Sequence, residues 1–211
     1  LTPNDNITVV KFTGDEGIST LFEFSIELKS SNPDLDIDAI LESPASLEIS
    51  FIDDVRKIQG IISHFDAVRQ VNNETIYTAT LVPRLWELSL YHTNEVYLEQ
   101  TVSEIIETVL QEAGFTSLDY DLSDIEGNDV TDKVWPYKCQ YGETHLDFIS
   151  RLMERDGIYY YFVEGEVGEK VVFCNTLNRQ EAIVVPDVLY SPMSSLEINS
   201  LENTVNSFVS Q

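Results

Sequence analysis

The sequence predicts an α+β, mainly β protein: a small antiparallel β-barrel followed by an α+β segment with two short helices packed on a sheet. Three observations carry this. Residues 1–90 hold several short runs in which apolar and polar side chains alternate, separated by turn residues. Two later stretches place apolar residues at helical spacing between a threonine and a glycine. An aromatic run, Tyr159-Tyr160-Tyr161-Phe162, follows the second of these.

In chain order, Ile7–Phe12 and Leu21–Leu28 read as strands joined across the glycine-bearing turn Gly14–Gly17, with Phe22, Phe24, Ile26 and Leu28 on one face. Ser31-Asn32-Pro33-Asp34 is a turn, and Asp38–Leu41 a single helical turn before Pro44. Leu47, Ile49 and Phe51 alternate with polar partners, and Asp53–Asp54 marks a hairpin turn into Arg56–Gln70. Gly60 inside that strand predicts a bulge or sharp bend, as barrel corners require. Asn72–Asn73 turns the chain into Thr75–Leu85. Pro83 has no N–H for a ladder, so the strand leaves the sheet there, and Trp86 is large enough to plug one end of the barrel.

The character changes after about Tyr91, and residues 91–175 read as the α+β segment, with helices near 102–113 and 145–156. Thr101 and Glu104 form a capping-box start, followed by the stripe Ile105, Ile106, Val109 and Leu110 and a stop at Gly114-Phe115. Thr144 and Asp147 repeat those offsets, with Phe148, Ile149, Leu152 and Met153 as the stripe. Gly157 suits a left-handed closing residue that brings Ile158 against Met153. Capping rules are generic, so two ordinary amphipathic helices are favoured over an internal duplication. Ile158–Val163, apolar on both faces, predicts a central strand. Ile125–Asp132, with Gly127 and Asn128 among acids, predicts a disordered loop. Residues 176–211 read as a strand-like connection towards a second barrel that the sequence does not contain.

The chain has 211 residues and a formal charge of −25. That charge argues against nucleic acid and anionic membrane surfaces as partners. From Leu85 to Asp132 there is no Lys or Arg, whereas twelve Asp and Glu fall there. The segment is read as a solvated acidic face, against the sharper reading of a surface meeting a basic partner or a divalent cation. An EF-hand counted from Asp119 fails, because the sixth position is Asp124 rather than glycine. His64, His92 and His145 form no zinc-ligand spacing, so no metal or cofactor is expected. Cys139 and Cys174 read as buried free thiols, with a disulfide left open. No apolar run reaches membrane-spanning length, and the N-terminal residues lack the apolar core of a Sec signal, so the expected site of synthesis is the cytoplasm.

No nucleophile elbow or phosphate loop is present. A glycosidase-type carboxylate pair would be sought first at Glu143 and Asp147, beside the aromatic strand. Arg151 and Arg155, one helical turn apart, are expected to pair with nearby carboxylates.

Cys139-Gln140-Tyr141, Glu143-Thr144, and Leu146 through Met153 closing on Gly157-Ile158-Tyr159-Tyr160-Tyr161-Phe162 resemble the signature of the VgrG family, the trimeric spikes of type VI secretion. Three stretches agree in order: Phe22-Glu23-Phe24 with Asn32-Pro33-Asp34-Leu35, Leu81-Val82-Pro83 with Leu85-Trp86-Glu87-Leu88, and Gln100-Thr101-Val102 with Glu104-Ile105-Ile106. The family is similar to the baseplate hub of contractile phage tails. The resemblance implies a structural hub with no catalytic residues, made as a homotrimer that caps a hexameric tail tube, carries a needle with tip or effector domains, and is exported with the machine. Cys139, Tyr141, Glu143, Thr144, Leu146, Asp147, Phe148, Ile149, Leu152, Gly157, Tyr159, Tyr160, Pro83, Trp86, Thr101 and Glu104 are its implied packing and capping residues. Gly142 and His145 depart from the family pattern of Arg and an acid, and the acidic loop Asp119–Asp132 is longer than typical. A phage or prophage tail hub is the alternative implied by the same module; a carbohydrate hydrolase and a free-standing binding module are the competing classes.

Overall fold

A computed structural model describes residues 7–50, 55–177, 189–190 and 204–205. Contacts divide the chain into two units, Leu1–Thr176 and Leu177–Gln211. In the second, β11 (Leu189–Tyr190) and β12 (Thr204–Val205) form a short parallel pair. The rest of the strand-like connection expected there lies outside the described residues.

The first unit begins with β1 (Ile7–Gly17), β2 (Thr20–Ser30), α1 (Ile37–Ile40), β3 (Pro44–Ser50), β4 (Val55–Val71) and β5 (Glu74–Val82). The five strands form one antiparallel sheet in the order β1-β2-β5-β4-β3. Alternation places Phe22, Phe24, Ile26 and Leu28 on its buried face, where Phe65 stacks on Tyr77 at 5.3 Å. The sheet curls as expected but stays a half-barrel: among the described residues the edge strands β1 and β3 do not pair. Ile7 and Val9 of β1 and Ala45 and Leu47 of β3 line a common cavity of about 370 Å³.

Several expectations change here. The first hairpin reverses at Ile18-Ser19, where Ser19 has φ 53°, and β1 runs on through Gly14 and Gly17. Gly14 answers a packing need instead: a Cβ there would sit 2.2 Å from the Phe24 ring. Gly60 is not a bulge, since it pairs in register with Ala45; the irregularities of β4 fall at Ile62/His64 and Ala67/Arg69. The Asp53–Asp54 turn and Phe51 lie outside the described residues. Asn72 and Asn73, both with positive φ, make the expected tight hairpin.

At Pro83 the strand ends as expected and a 3-10 helix follows over Arg84–Ser89. Leu85 and Leu88, three apart, eclipse one another and enter the second core, whereas Trp86 is half-buried and belongs to neither core. It is no barrel plug, because the three-residue period turns it away from the face its neighbours bury.

The second core lies among β6 (His92–Gln100), α2 (Val102–Glu112), β7 (Tyr120–Asp124), β8 (Trp135–Thr144), α3 (His145–Asp156), β9 (Tyr159–Glu164) and β10 (Glu169–Cys174). β7, β10 and β9 form a three-stranded sheet in that order, and β6 pairs with β8 as a separate antiparallel ribbon. The aromatic strand β9 is therefore an edge, and β10 is central, with Val171 to Cys174 all buried. Tyrosine explains the misreading. Its ring buries while its hydroxyl stays polar, so Tyr159 donates to the Thr176 carbonyl at 2.7 Å from the sheet margin.

The loop 125–132 is ordered by its own side chains. Asn128 accepts N–H groups from Val130 and Thr131, and Thr131 is buried, donating its hydroxyl to the Glu126 carbonyl. Asn175 clasps the same Glu126 carbonyl from beyond β10.

The two cores meet along β9. The Ser19 N–H at the β1–β2 tip donates to the Tyr160 carbonyl at 2.8 Å, and Phe22 meets Phe162 edge-on at 5.2 Å. Phe162 packs against both cores. Phe162→Ala is expected to lower stability by about 2–3 kcal/mol, less than for a fully buried ring. Urea denaturation checks this, and an unchanged midpoint would show that the rings merely touch.

Candidate functional site

Most of the residues that the sequence marks lie on helix α3 and its flanks, with Pro83 and Trp86 at the exit of β5 and Thr101 and Glu104 at the start of α2. The Thr144 hydroxyl accepts the Asp147 N–H at 3.0 Å and donates to the Asp147 carboxylate at 2.8 Å. In α2 the box is complete: the Glu104 N–H donates to Thr101 Oγ1, and the Glu104 carboxylate reaches back to the Thr101 N–H at 2.7 Å. Glutamate has the extra methylene that this reach needs; Asp147 satisfies the hydroxyl instead. Both helices close alike. Gly114 and Gly157 are left-handed, and Phe115 and Ile158 donate to the carbonyls of Leu110 and Met153 at 2.9 Å. Phe148, Ile149 and Leu152 are buried, Leu146 is half-buried, and Phe148 stacks on Tyr97 at 5.2 Å.

Of the remaining marked residues, Tyr160 and Pro83 are buried and Tyr159 half-buried. Tyr141 is 81% exposed, so it is not a packing residue in this unit. Cys139 is half-buried and Cys174 fully buried, and both are free thiols.

Glu143 is gripped by Arg151, with Nε to Oε2 at 2.9 Å and Nη2 to Oε1 at 2.7 Å. These hydrogen bonds hold its carboxyl below the ordinary range, against the upward push of burial. A general acid needs the opposite shift, and Asp147 is committed to the helix cap. The arginine thus does what was expected of it, and Arg155 likewise pairs with Asp156. Two acids of 119–132 turn to separate partners. Asp119 accepts from Thr116 and faces Arg84 at 3.0 Å, while Asp121 accepts from Ser123 and faces Lys170. Among the described residues no group of three or more His, Cys, Asp or Glu is arranged to hold a metal ion.

Sequence reasoning missed Arg84. From the exit of β5 it faces Asp119, Glu87 and the Gly114 carbonyl, lies over the Phe115 ring at 4.6 Å, and gives its own N–H to Glu169. One residue ties β5 to the end of α2, β7 and β10. The signal was present: Arg84 is the last cation before the acidic stretch 85–132.

His145 is buried, stacked on Tyr91, with Nδ1 3.0 Å from Gln140 Oε1. Burial lowers its pKa, only partly opposed by Glu112 and Glu95. The unfolded chain takes up this proton first, so stability is full above about pH 6.5 and is lost as pH falls below it. Denaturation midpoints should therefore drop through mild acid in the natural chain and drop less in His145→Gln. Glu169, raised by burial, has the opposite slope above its ordinary carboxylate range, so the variant is needed to isolate the histidine. Equal slopes would remove His145 from the account.

A half-barrel joined through an aromatic edge strand to two capped helices is the arrangement of a known module. A family model described as phage tail baseplate hub (GPD) matches residues 15–211. The chain belongs to this family. Among relatives of the hub is the type VI secretion system spike protein VgrG1b of Pseudomonas aeruginosa, 35% identical over 153 residues, or 72% of this chain and 20% of that protein. VgrG5 of the same organism is 36% identical over 171 residues, 78% of this chain and 20% of its own length. The hub thus spans about a fifth of the length of the curated relatives it matches. Among solved structures, it is similar to an Escherichia coli component of the type VI secretion system described as resembling the phage T4 tail proteins gp27 and gp5. The TM-score is 0.76 at 26% identity, over 90% of this chain and 50% of that one. One chain of a Francisella PdpA–VgrG complex shares the fold at TM-score 0.59 and 14% identity, over 90% of this chain and 28% of that one.

Proposed function

We propose that this chain is the hub portion of a type VI secretion spike, a structural part that trimerises, caps the hexameric tail tube and carries a puncturing needle with its tip or effector domains. The observation that supports this best is the 35% identity to a VgrG spike over 72% of this chain, with most of the marked residues spent on packing and capping. The marked residues of α2, α3 and β9 act as a brace between the half-barrel and the α+β part. Glu143, neutralised by Arg151, orders the turn into α3. The hub leaves the cell with the machine, and its role is mechanical; any toxin activity of the kind named for a relative, the actin cross-linking toxin VgrG1 of Vibrio cholerae, would reside elsewhere in such a protein.

The test is incubation with tubes of the matching hexameric tail protein and electron microscopy of their ends. Capped ends are expected; bare ends in the presence of folded hub overturn the reading. A glycan turnover assay with Glu143→Gln as control separates the enzymatic alternative, which requires turnover that the variant loses.

A further inference from the structure

The basic residues of this chain are scarce and gathered. Of its twelve Lys and Arg, four fall between Lys133 and Arg155, in a chain of −25. Three of the four surround one side chain, Trp135, where β8 begins. Lys133 Nζ stands 3.9 Å, Lys138 Nζ 3.5 Å and Arg155 Cζ 4.5 Å from the centre of its ring. One cation on each face of an indole is a favourable arrangement. A ring has two faces, so three cations set two like charges on one side. All three charges lie within the ~10 Å over which 0.1 M salt screens. Lys138 registers the cost: burial lowers its pKa, Arg155, Arg151 and Lys133 lower it further, and Asp156 opposes them.

The cluster offers donors and lacks acceptors. Asp156 is the carboxylate beside it, and its two oxygens are taken by Arg155, through Nε and through Nη2 at 2.8 Å. Arg151 is occupied by Glu143. Among the described residues neither lysine has an ion-pair partner. The Trp135 indole N–H is buried and has no acceptor among them. Gln100, opposite Trp135 in the β6–β8 ribbon, has its own Oε1 buried without a donor, so the two do not bond each other. A buried N–H that bonds nothing and two ammonium groups without a counter-charge are completed by the same thing, an acceptor that carries negative charge.

We infer that Lys133, Lys138 and Arg155, with the Trp135 indole N–H, form a binding site for the phosphate group of a small anion. Charge selects the class. Three cations against Asp156 leave a local excess of two positive charges. A phosphate group carries about −1.5 to −2 at neutral pH, whereas a single carboxylate carries one charge. Phosphate also offers three acceptor oxygens to the ammonium groups and the indole, where a carboxylate offers two. The rest of the chain selects the size. A polyanion such as nucleic acid, or an anionic membrane, lays its charges along neighbouring surfaces of a chain of −25 and is repelled by them. A small anion meets the cluster alone. The site stands apart from the mechanical reading above, and neither requires the other.

Trp135 is its own reporter. The chain has two tryptophans, Trp86 and Trp135, so in Trp86→Phe the indole emission is that of Trp135. The test is titration of the 211-residue Trp86→Phe chain with inorganic phosphate, at an ionic strength held constant with sodium chloride. Expected is a saturable change in emission that acetate does not reproduce. Glycerol phosphate, titrated in parallel, tells a site open to phosphate esters from one that takes only the free anion. Lys133→Gln with Lys138→Gln should weaken binding by roughly tenfold or more while the circular dichroism stays native. Lys133→Arg with Lys138→Arg keeps both charges and should retain binding. Phosphate should also raise the melting temperature of the natural chain and leave that of the glutamine pair unchanged. A response that does not saturate, that acetate matches, or that survives the glutamine pair overturns the site. A glutamate-rich peptide that binds more tightly than phosphate overturns the ligand and hands the cluster to the carboxylates of a protein partner.

Discussion

Leu152→Asp is expected to yield no cooperatively folded protein. Leu152 is almost wholly buried, in the stripe of α3 that shares the second core with Ile105, Tyr160 and Phe173. Truncating such a leucine costs about 2–5 kcal/mol. An aspartate adds a carboxylate buried among apolar side chains, and the sum is comparable to the ~5–15 kcal/mol by which an ordinary domain is stable. Expected are insoluble expression or a soluble form without a thermal transition. Leu152→Met, close in volume, should cost less than about 1.5 kcal/mol and keep the transition. A cooperatively melting Leu152→Asp would show that α3 is not part of the core that holds the unit together.

Gly60→Ala is the second large effect, and it comes from backbone rather than side chain. A Cβ at Gly60 would lie 2.2 Å from the Val82 carbonyl oxygen, an atom fixed in β5 by its ladder partner Ile61. No rotamer relieves that clash, so β4 or β5 must move. A loss of about 3 kcal/mol is expected, at the upper end for overpacking. Gly142→Ala is the comparison. Gly142 has φ 63° and nothing within 4 Å of its added Cβ, so only the left-handed conformation is penalised, by about 1 kcal/mol. Chemical denaturation of the two variants tests the order. Gly60→Ala no worse than Gly142→Ala would mean that the strands part easily there.

The sequence was most legible where structure is local. Thr101 and Glu104, three residues apart, must meet if a helix starts there, and Gly157 can close a turn whatever packs on it. The stripes of α2 and α3, the Asn72-Asn73 turn and the strand exit at Pro83 followed for the same reason. Where reading failed, an apolar or glycine residue was assigned its use from neighbours in the chain. Gly14 looked like a turn glycine but answers the Phe24 ring on the adjacent strand. Trp86 looked like a plug, and a 3-10 period turned it aside. Arg84 drew no notice, because its partners Asp119 and Glu169 stand far along the chain.

By itself the amino-acid order determined the mainly β, α+β class, both capped helices and the resemblance that named the family, since all three depend on contacts within a turn or two of chain. Only the tertiary structure decided that the first sheet remains a half-barrel, that β10 rather than the aromatic β9 is central, that Phe162 joins two cores, and that Arg155 joins two lysines at Trp135. Each of those depends on which distant segment arrives at an edge or a face, and periodicity along a strand records that a face is buried without recording what buries it.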